Sequence, residues 1–149
     1  MEDYQAMNKK RDEILTGIAI GLILYILLAV KVMAEPVSDE DMELIAKTVW
    51  LESGNQDLEG RRLVAATILN RVESSEFPDT VEEVLSQENQ FSTYPRLSEA
   101  TPTWRDLLAT KMEIENRSDT DVLFFRTERY GCGVPLYKHG DHYFSTLAD

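Results

Sequence analysis

Two kinds of apolar pattern divide the chain. From Ile14 to Val30 about 17 residues pass without a charge, whereas from Met42 onward apolar residues recur at helical spacing. The first run makes roughly 26 Å of helix at ~1.5 Å per residue, against a bilayer core of roughly 30 Å. Lys31 can snorkel, so that Val32, Met33 and Ala34 extend the span. Lys9, Lys10 and Arg11 precede it, and Glu35, Asp39, Glu40 and Asp41 follow it. The positive-inside rule then places the N-terminus in the cytoplasm. Residues 1–34 therefore read as a cytoplasmic tail and single-pass transmembrane helix, with residues 14–34 in the cytoplasmic membrane, and residues 35–149 as an extracytoplasmic domain. A signal segment cleaved near Ala34 would instead release the domain, and a buried core helix is the third reading. The length of the run favours the anchor. Gly17 and Gly21 form one Gly-x-x-x-Gly step, a weak signal for a homodimer through the membrane helix.

Beyond the linker at Glu35-Pro36-Val37, Ser38 is a fitting N-cap, with Asp39, Glu40 and Asp41 in the first turn where the helix dipole favours acids. Met42, Ile45, Ala46 and Val49 follow i, i+3, i+4, i+7 spacing, and Gly54-Asn55 stop the helix. A second helix is predicted from Leu58 to Val72, with Arg61, Val64, Ala65, Ile68 and Val72 on one face. Phe77-Pro78-Asp79 reads as a turn. Thr80 with Glu83 has the capping-box pattern and opens a short helix. Gln90 to Pro95 reads as a non-helical loop. Thr103 caps a further helix, for which Trp104, Leu107, Leu108 and Met112 are predicted inward. Val122 to Phe125 is a short β-type run. A Gly-rich loop follows at Tyr130-Gly131-Cys132-Gly133. Leu136-Tyr137-Lys138 and His142-Tyr143-Phe144 flank a hairpin turn at His139-Gly140-Asp141. The predicted class is α+β, mostly helical, with a small C-terminal β element.

Three residues beyond Val49, the apolar stripe lands on Glu52. A carboxyl on the inward face of a last helical turn meets apolar surroundings and the negative end of the helix dipole. Both disfavour its charged form. Such an acid stays protonated near neutral pH and can act as a general acid. The competing reading is a solvated glutamate at a stripe that ended early.

Charge narrows the partners. Net charge is −12. The first 34 residues carry four basic and four acidic groups, so the remaining 11 basic and 23 acidic groups hold all of it. A domain this acidic is a poor binder of nucleic acid, whose affinity comes largely from Lys and Arg on phosphates. One cysteine, Cys132, forms no internal disulfide and no four-ligand zinc site.

The segments Leu58-Glu59-Gly60 and Val64 through Val72 resemble the SleB-type, spore-cortex-lytic family of bacterial cell-wall hydrolases. So do Phe77 through Val81, Gln90-Phe91-Ser92, Leu123-Phe124-Phe125 and Gly140 through Phe144. The likeness covers about residues 40 to 145. It implies a lysozyme-like fold and makes residues 35–149 a cell-wall hydrolase catalytic domain. It also implies cleavage of peptidoglycan glycan strands between N-acetylmuramic acid and N-acetylglucosamine, usually by lytic transglycosylation. Glu52 matches the family's catalytic acid. The family usually reads Ala-Glu-Ala-Arg-Gly-Glu there, and here Leu51-Glu52-Ser53-Gly54-Asn55-Gln56 replaces the second glutamate with Gln56.

A typical glycosidase needs two carboxylates, whereas a lytic transglycosylase can use one. Asp57, Glu59, Asp79 and Glu88 are candidate second carboxylates, although their loop and helix-start positions suit capping or solvation better. Gln90, Ser92 and Asn70 suit sugar hydroxyls and acetamides, with Asn70 equally suited to nearby backbone groups. Phe91, Tyr94 and Phe125 offer apolar faces, and Phe91 and Phe125 read equally well as core. His139, Asp141 and His142 are three metal-ligating types in four residues. On a tight turn their side chains diverge, so no metal and no cofactor is expected, and His142 is placed at the rim of the site. A water-using muramidase and an inactive wall-binding scaffold are the alternative functions.

Overall fold

Ser38 caps the second helix as its sequence requires, its hydroxyl oxygen accepting the Asp41 N–H at 3.0 Å. A computed structural model describes residues 2–32 and 37–148. Within the first helix it describes the side chains of residues 5, 9–11 and 13–25. The chain divides into two compact units, Met1–Pro36 and Val37–Asp149.

The first unit is one helix, α1 (Glu2–Val32). The expected transmembrane helix is not borne out. Among the described residues, no helix is long and apolar enough to cross a membrane. The charges of Lys9, Lys10, Arg11 and Glu13 stand in α1 directly before the apolar stretch that opens at Ile14. The cleavage position at Ala34 and the linker residues Glu35 and Pro36 lie outside the described residues. A Cβ added at Gly17 or Gly21 would meet nothing within 4 Å.

The second unit begins with α2 (Asp39–Ser53), α3 (Leu58–Glu73) and α4 (Val81–Ser86). A 3₁₀ turn at Tyr94–Glu99 and α5 (Trp104–Glu115) follow, and then β1 (Phe124–Thr127), β2 (Val134–His139) and β3 (His142–Thr146). The predicted stripe of α2 packs inward, with Ile45, Ala46 and Val49 fully buried. Ile45 and Val49 meet Val64, Ala65 and Ile68 of α3 and Val84 and Leu85 of α4 in the main apolar cluster. Thr80 caps α4 by accepting the Glu83 N–H.

Helix α5 turns the other way. Trp104, Leu107 and Leu108, predicted inward, are 68, 42 and 37% exposed. Asp106, Ala109, Thr110 and Glu113 are buried instead. Charge pairing sets this rotation. Asp106 meets Arg61 of α3 and Glu113 meets Arg62 at 3.1 Å. Turning either carboxylate outward would strand a guanidinium against the core.

The three strands form an antiparallel sheet in the order β1-β3-β2. Phe125 of β1 pairs with Phe144 of β3, and Arg126 with Tyr143. Gly140 turns the β2–β3 hairpin at φ +55°, where a Cβ would strike the Gln56 side-chain oxygen at 1.9 Å. Glycine is needed there both for the backbone conformation and for that contact.

Candidate active site

Glu52 is the penultimate residue of α2 and lines a cavity of about 330 Å3. The loop residues Asn89, Gln90 and Ser92 form a second wall. Phe125, Arg126 and Thr127 of β1, with His142 of β3, form the third. Of the residues expected at the site, Glu52, Gln90, Ser92, Phe125 and His142 therefore meet in one place. Glu52 is the one carboxylate among the residues lining this cavity.

The carboxyl is half-buried, and burial raises its pKa above the ordinary glutamate value. Thr93 opposes part of that shift by donating its hydroxyl to Glu52 Oε1 at 2.5 Å. No cation pairs with Glu52 among the described contacts. A partly protonated acid facing a polar cavity can give a proton to a bound oxygen and take one back.

His142 is buried, and its ring lies 5.1 Å from that of Phe125. Burial lowers its pKa, the Asp141 charge pulling it back up in part, so the ring is neutral at pH 7. Its Nδ1 is buried and without a protein partner. A neutral imidazole carries one donor and one acceptor nitrogen, and this ring stands on the cavity wall.

The remaining expected residues lie elsewhere. Phe91 is 5% exposed and belongs to the apolar core, 6.1 Å from the Phe125 ring. Tyr94 packs against the same core at the start of the 3₁₀ turn. Asn70 donates to the carbonyls of Thr120 and Val122, both at 2.9 Å, and accepts from Arg117. It holds the approach to the sheet and lines a different surface pocket.

Three lining residues had not been anticipated. Thr127 lies two positions after Phe125 in β1, so strand alternation gives it the same face. Arg126 sits between them. Asn89 adopts φ 64°, a left-handed conformation that asparagine tolerates, and it brings the loop round to Gln90. Thr93, the partner of Glu52, carried no pattern in the sequence at all.

Gln56 does not line the cavity. Its side-chain amide donates to Asp141 Oδ2 at 2.8 Å, and its oxygen accepts the Asp141 N–H at 3.1 Å. It clamps the β2–β3 turn to the α2–α3 corner. Asn55 adds a 3.0 Å bond to the same Asp141 carboxylate. Nearby, His139 contacts Asp57 Oδ1 at 2.8 Å. His139, Asp141 and His142 thus serve three separate neighbourhoods. Among the described residues no three His, Cys, Asp or Glu side chains are grouped to hold a metal ion.

Two further pockets share residues with this cavity. A pocket of about 400 Å3 shares Thr127 with it and adds Glu128, Lys138, Asp141 and Tyr143. A smaller one of about 130 Å3 shares Asn89, Gln90, Phe125 and Arg126.

Known proteins match this architecture. The catalytic domain of the Bacillus cereus SleB protein superposes with a TM-score of 0.68 at 27% identity, covering 76% of this chain and 94% of that one. The catalytic domain of the germination-specific lytic transglycosylase SleB of Bacillus anthracis gives 0.66 at 26%, over 76% and 100%. Spore cortex-lytic enzymes of Oceanobacillus iheyensis and Bacillus cereus are 42% identical over 55 residues, which is 37% of this chain. The matched part spans only 20 and 21% of those relatives' own lengths. Residues 55–144 match the Cell Wall Hydrolase family, a stretch that opens just after Glu52. With more than half of its length so matched and the same fold around the cavity, the chain belongs to the Cell Wall Hydrolase family.

Proposed function

We propose that this chain cleaves peptidoglycan glycan strands between N-acetylmuramic acid and N-acetylglucosamine as a lytic transglycosylase, with Glu52 as its one acid and base. The observation that carries this reading is a cavity with a single carboxylate. A hydrolase working through paired carboxylates needs a second one roughly 5–9.5 Å from the first. Asp57 caps α3 through the Gly60 N–H, and Glu59, Asp79 and Glu88 are exposed. None of the four lines the cavity.

The steps balance without water. Glu52 gives its proton to the glycosidic oxygen, and the bond from that oxygen to the muramoyl C1 breaks. The N-acetylglucosamine end leaves as an alcohol. The muramoyl 6-hydroxyl oxygen then bonds to C1, and the Glu52 carboxylate takes the hydroxyl proton. The ring closes as a 1,6-anhydro sugar, and the acid is ready again. The raised pKa of Glu52 serves the first step, while the Thr93 hydrogen bond stabilises the carboxylate needed for the second. Gln90, Ser92 and the neutral His142 are placed to bind sugar hydroxyls and acetamides, and the Phe125 ring offers an apolar face.

The structural neighbour from Bacillus anthracis, a lytic transglycosylase, supports the same reaction. Gln56 argues against an inactive scaffold, because the substitution at that position serves the hairpin and leaves the cavity intact. The substrate lies outside the cytoplasmic membrane, so the proposed place of action is extracytoplasmic. Digestion of purified peptidoglycan, read by mass spectrometry, tests the proposal. Products ending in 1,6-anhydro-muramic acid are expected. Reducing muramic ends would make the enzyme a water-using muramidase, and an undigested wall would remove the activity altogether.

A further inference from the structure

The 130 Å3 pocket beside the Glu52 cavity has an unusual floor. Arg71 of α3 is 4% exposed, yet it lines this pocket. Its Nε donates to the Leu123 carbonyl at 2.7 Å. The guanidinium carbon lies 4.9, 5.1 and 5.3 Å from the ring centroids of Phe77, Phe91 and Phe124. Those faces hold the cation in place. They do not satisfy its donors, and Nη1 is buried without a partner. A buried donor on a charged group left unmade is costly, which marks it as a group awaiting an acceptor. Burial lowers the Arg71 pKa to about 10, so it is still charged at neutral pH.

The rest of the pocket agrees in sign. Arg126, exposed, stands at its edge, with the amides of Asn89 and Gln90 and the Cys132 side chain around it. Two guanidiniums and no carboxylate line it, in a domain whose residues from Glu35 onward hold 23 acidic and 11 basic groups. Its volume of about 130 Å3 leaves room for a small planar group.

We propose that this pocket is a carboxylate subsite beside the Glu52 cavity, with Arg71 as its buried anchor and Arg126 as its outer clamp. The proposal rests on the glycan-cleaving reading above. Guanidinium groups bind planar carboxylates through paired, charge-assisted hydrogen bonds. A muramoyl residue brings such a group from one of two sources. One is its own lactyl carboxylate when the peptide stem is gone. The other is a carboxylate of the stem when it is present. The subsite would thus fix which muramoyl residue sits against Glu52.

The test measures KM and kcat for the full chain on two strands, one with intact stems and one stripped by an amidase that frees the lactyl carboxylate. Each is also supplied with its carboxylates converted to methylamides. Wild type is expected to favour one acidic strand over its methylamide by roughly tenfold in KM, and the favoured strand identifies the source. Arg126→Gln and Arg71→Lys are expected to shrink the KM difference between that strand and its methylamide by a similar factor. Circular dichroism checks that Arg71→Lys is folded, and the exposed Arg126→Gln carries the test if it is not. Equal KM on acid and methylamide strands, or variants that weaken both alike, would overturn the subsite while leaving glycan cleavage standing. A wild-type protein that cleaves none of the strands would overturn both.

Discussion

Helices α2 and α5 each turn carboxylates inward, and the two sets could hardly be treated more differently. Asp106 and Glu113 of α5 are fully buried and paired with cations. Asp106 also accepts the Thr103 N–H at 2.7 Å and its hydroxyl at 2.6 Å. Glu113 accepts the Ser118 N–H at 2.9 Å and the Ser118 hydroxyl at 2.6 Å. Cations and hydrogen-bond donors meet the oxygens of both side chains, and these contacts hold the helix. Among the described contacts, Glu52 of α2 has one side-chain hydrogen bond and no cation, and a cavity lies in front of it. Inwardness alone therefore does not mark a catalytic acid. What marks it is inwardness with the compensation left out.

The largest test of that contrast is Glu52→Gln. It keeps the shape of the side chain and removes the proton. General acid–base contributions run about 10²–10⁴-fold, and a sole acid and base should lie at or above that range. Loss of peptidoglycan clearance is expected, with the thermal melt unchanged or slightly higher. The melt also has a predicted pH signature. The folded-state pKa of Glu52 is raised, so the folded protein binds more protons than the unfolded one between the ordinary and the raised value. Stability from this group is present below that window and falls as pH rises through it. Glu52→Gln should remove that part of the slope. A variant that still clears peptidoglycan would break the contrast at its root.

On α5 the same kind of change should do the reverse. Asp106→Ala leaves Arg61 buried and without its counter-charge. Breaking a buried pair in this way costs about 3–5 kcal/mol, measurable by urea unfolding. Activity per folded molecule should stay near wild type, because Asp106 does not line the cavity. A stable but inactive Asp106→Ala protein would show that the paired acids do more than hold the fold.

The two helices also differ in how far the sequence reveals them. Ser38, the Ile45-Ala46-Val49 stripe and Gly54 announce α2 from cap to stop, and the same stripe points at Glu52. The stripe of α5 misleads, because Trp104, Leu107 and Leu108 outweigh two acids on any hydropathy count. Only the positions of Arg61 and Arg62 on α3 decide the rotation, and those are long-range facts. A local clue did exist, since Thr103-x-x-Asp106 has the form of a capping box. The cavity was legible where it followed strand or loop neighbours, as at Gln90, Ser92, Phe125 and His142. It was hidden where it depended on a left-handed Asn89 or on a hydroxyl 41 positions from its partner. The transmembrane reading of the first helix failed for a related reason. An uncharged run counts residues, whereas a span needs an apolar length that the described part of α1 does not reach.

A smaller change refines the Glu52 side of the contrast. Thr93→Val removes the one hydrogen bond that favours the carboxylate. The Glu52 pKa, already raised by burial, should then rise further. A general acid is lost as pH climbs through its pKa, so the alkaline limb of kcat/KM should move to higher pH. The second step, which needs the carboxylate as base, should slow at low pH. A pH–rate profile identical to wild type would mean that Thr93 does not tune the acid.

The smallest effects are expected where a second carboxylate has been sought. Asp57→Asn, Glu59→Gln, Asp79→Asn and Glu88→Gln each remove a charge outside the cavity. Asp57 is the one with structural work, accepting the Gly60 N–H at 2.8 Å and contacting His139 at the same distance. Both contacts hold its pKa below the usual aspartate value, the Gly60 bond contributing most. Asparagine is itself a good N-cap, so the stability cost should be a few tenths of a kcal/mol. Losing a true second acid or base would cost about 10²–10⁴-fold in rate. Each of the four variants should instead stay within roughly tenfold of wild type, well short of that range. One of them falling as far as Glu52→Gln would place a second carboxylate in the reaction, and with it the water-using mechanism in place of ring closure.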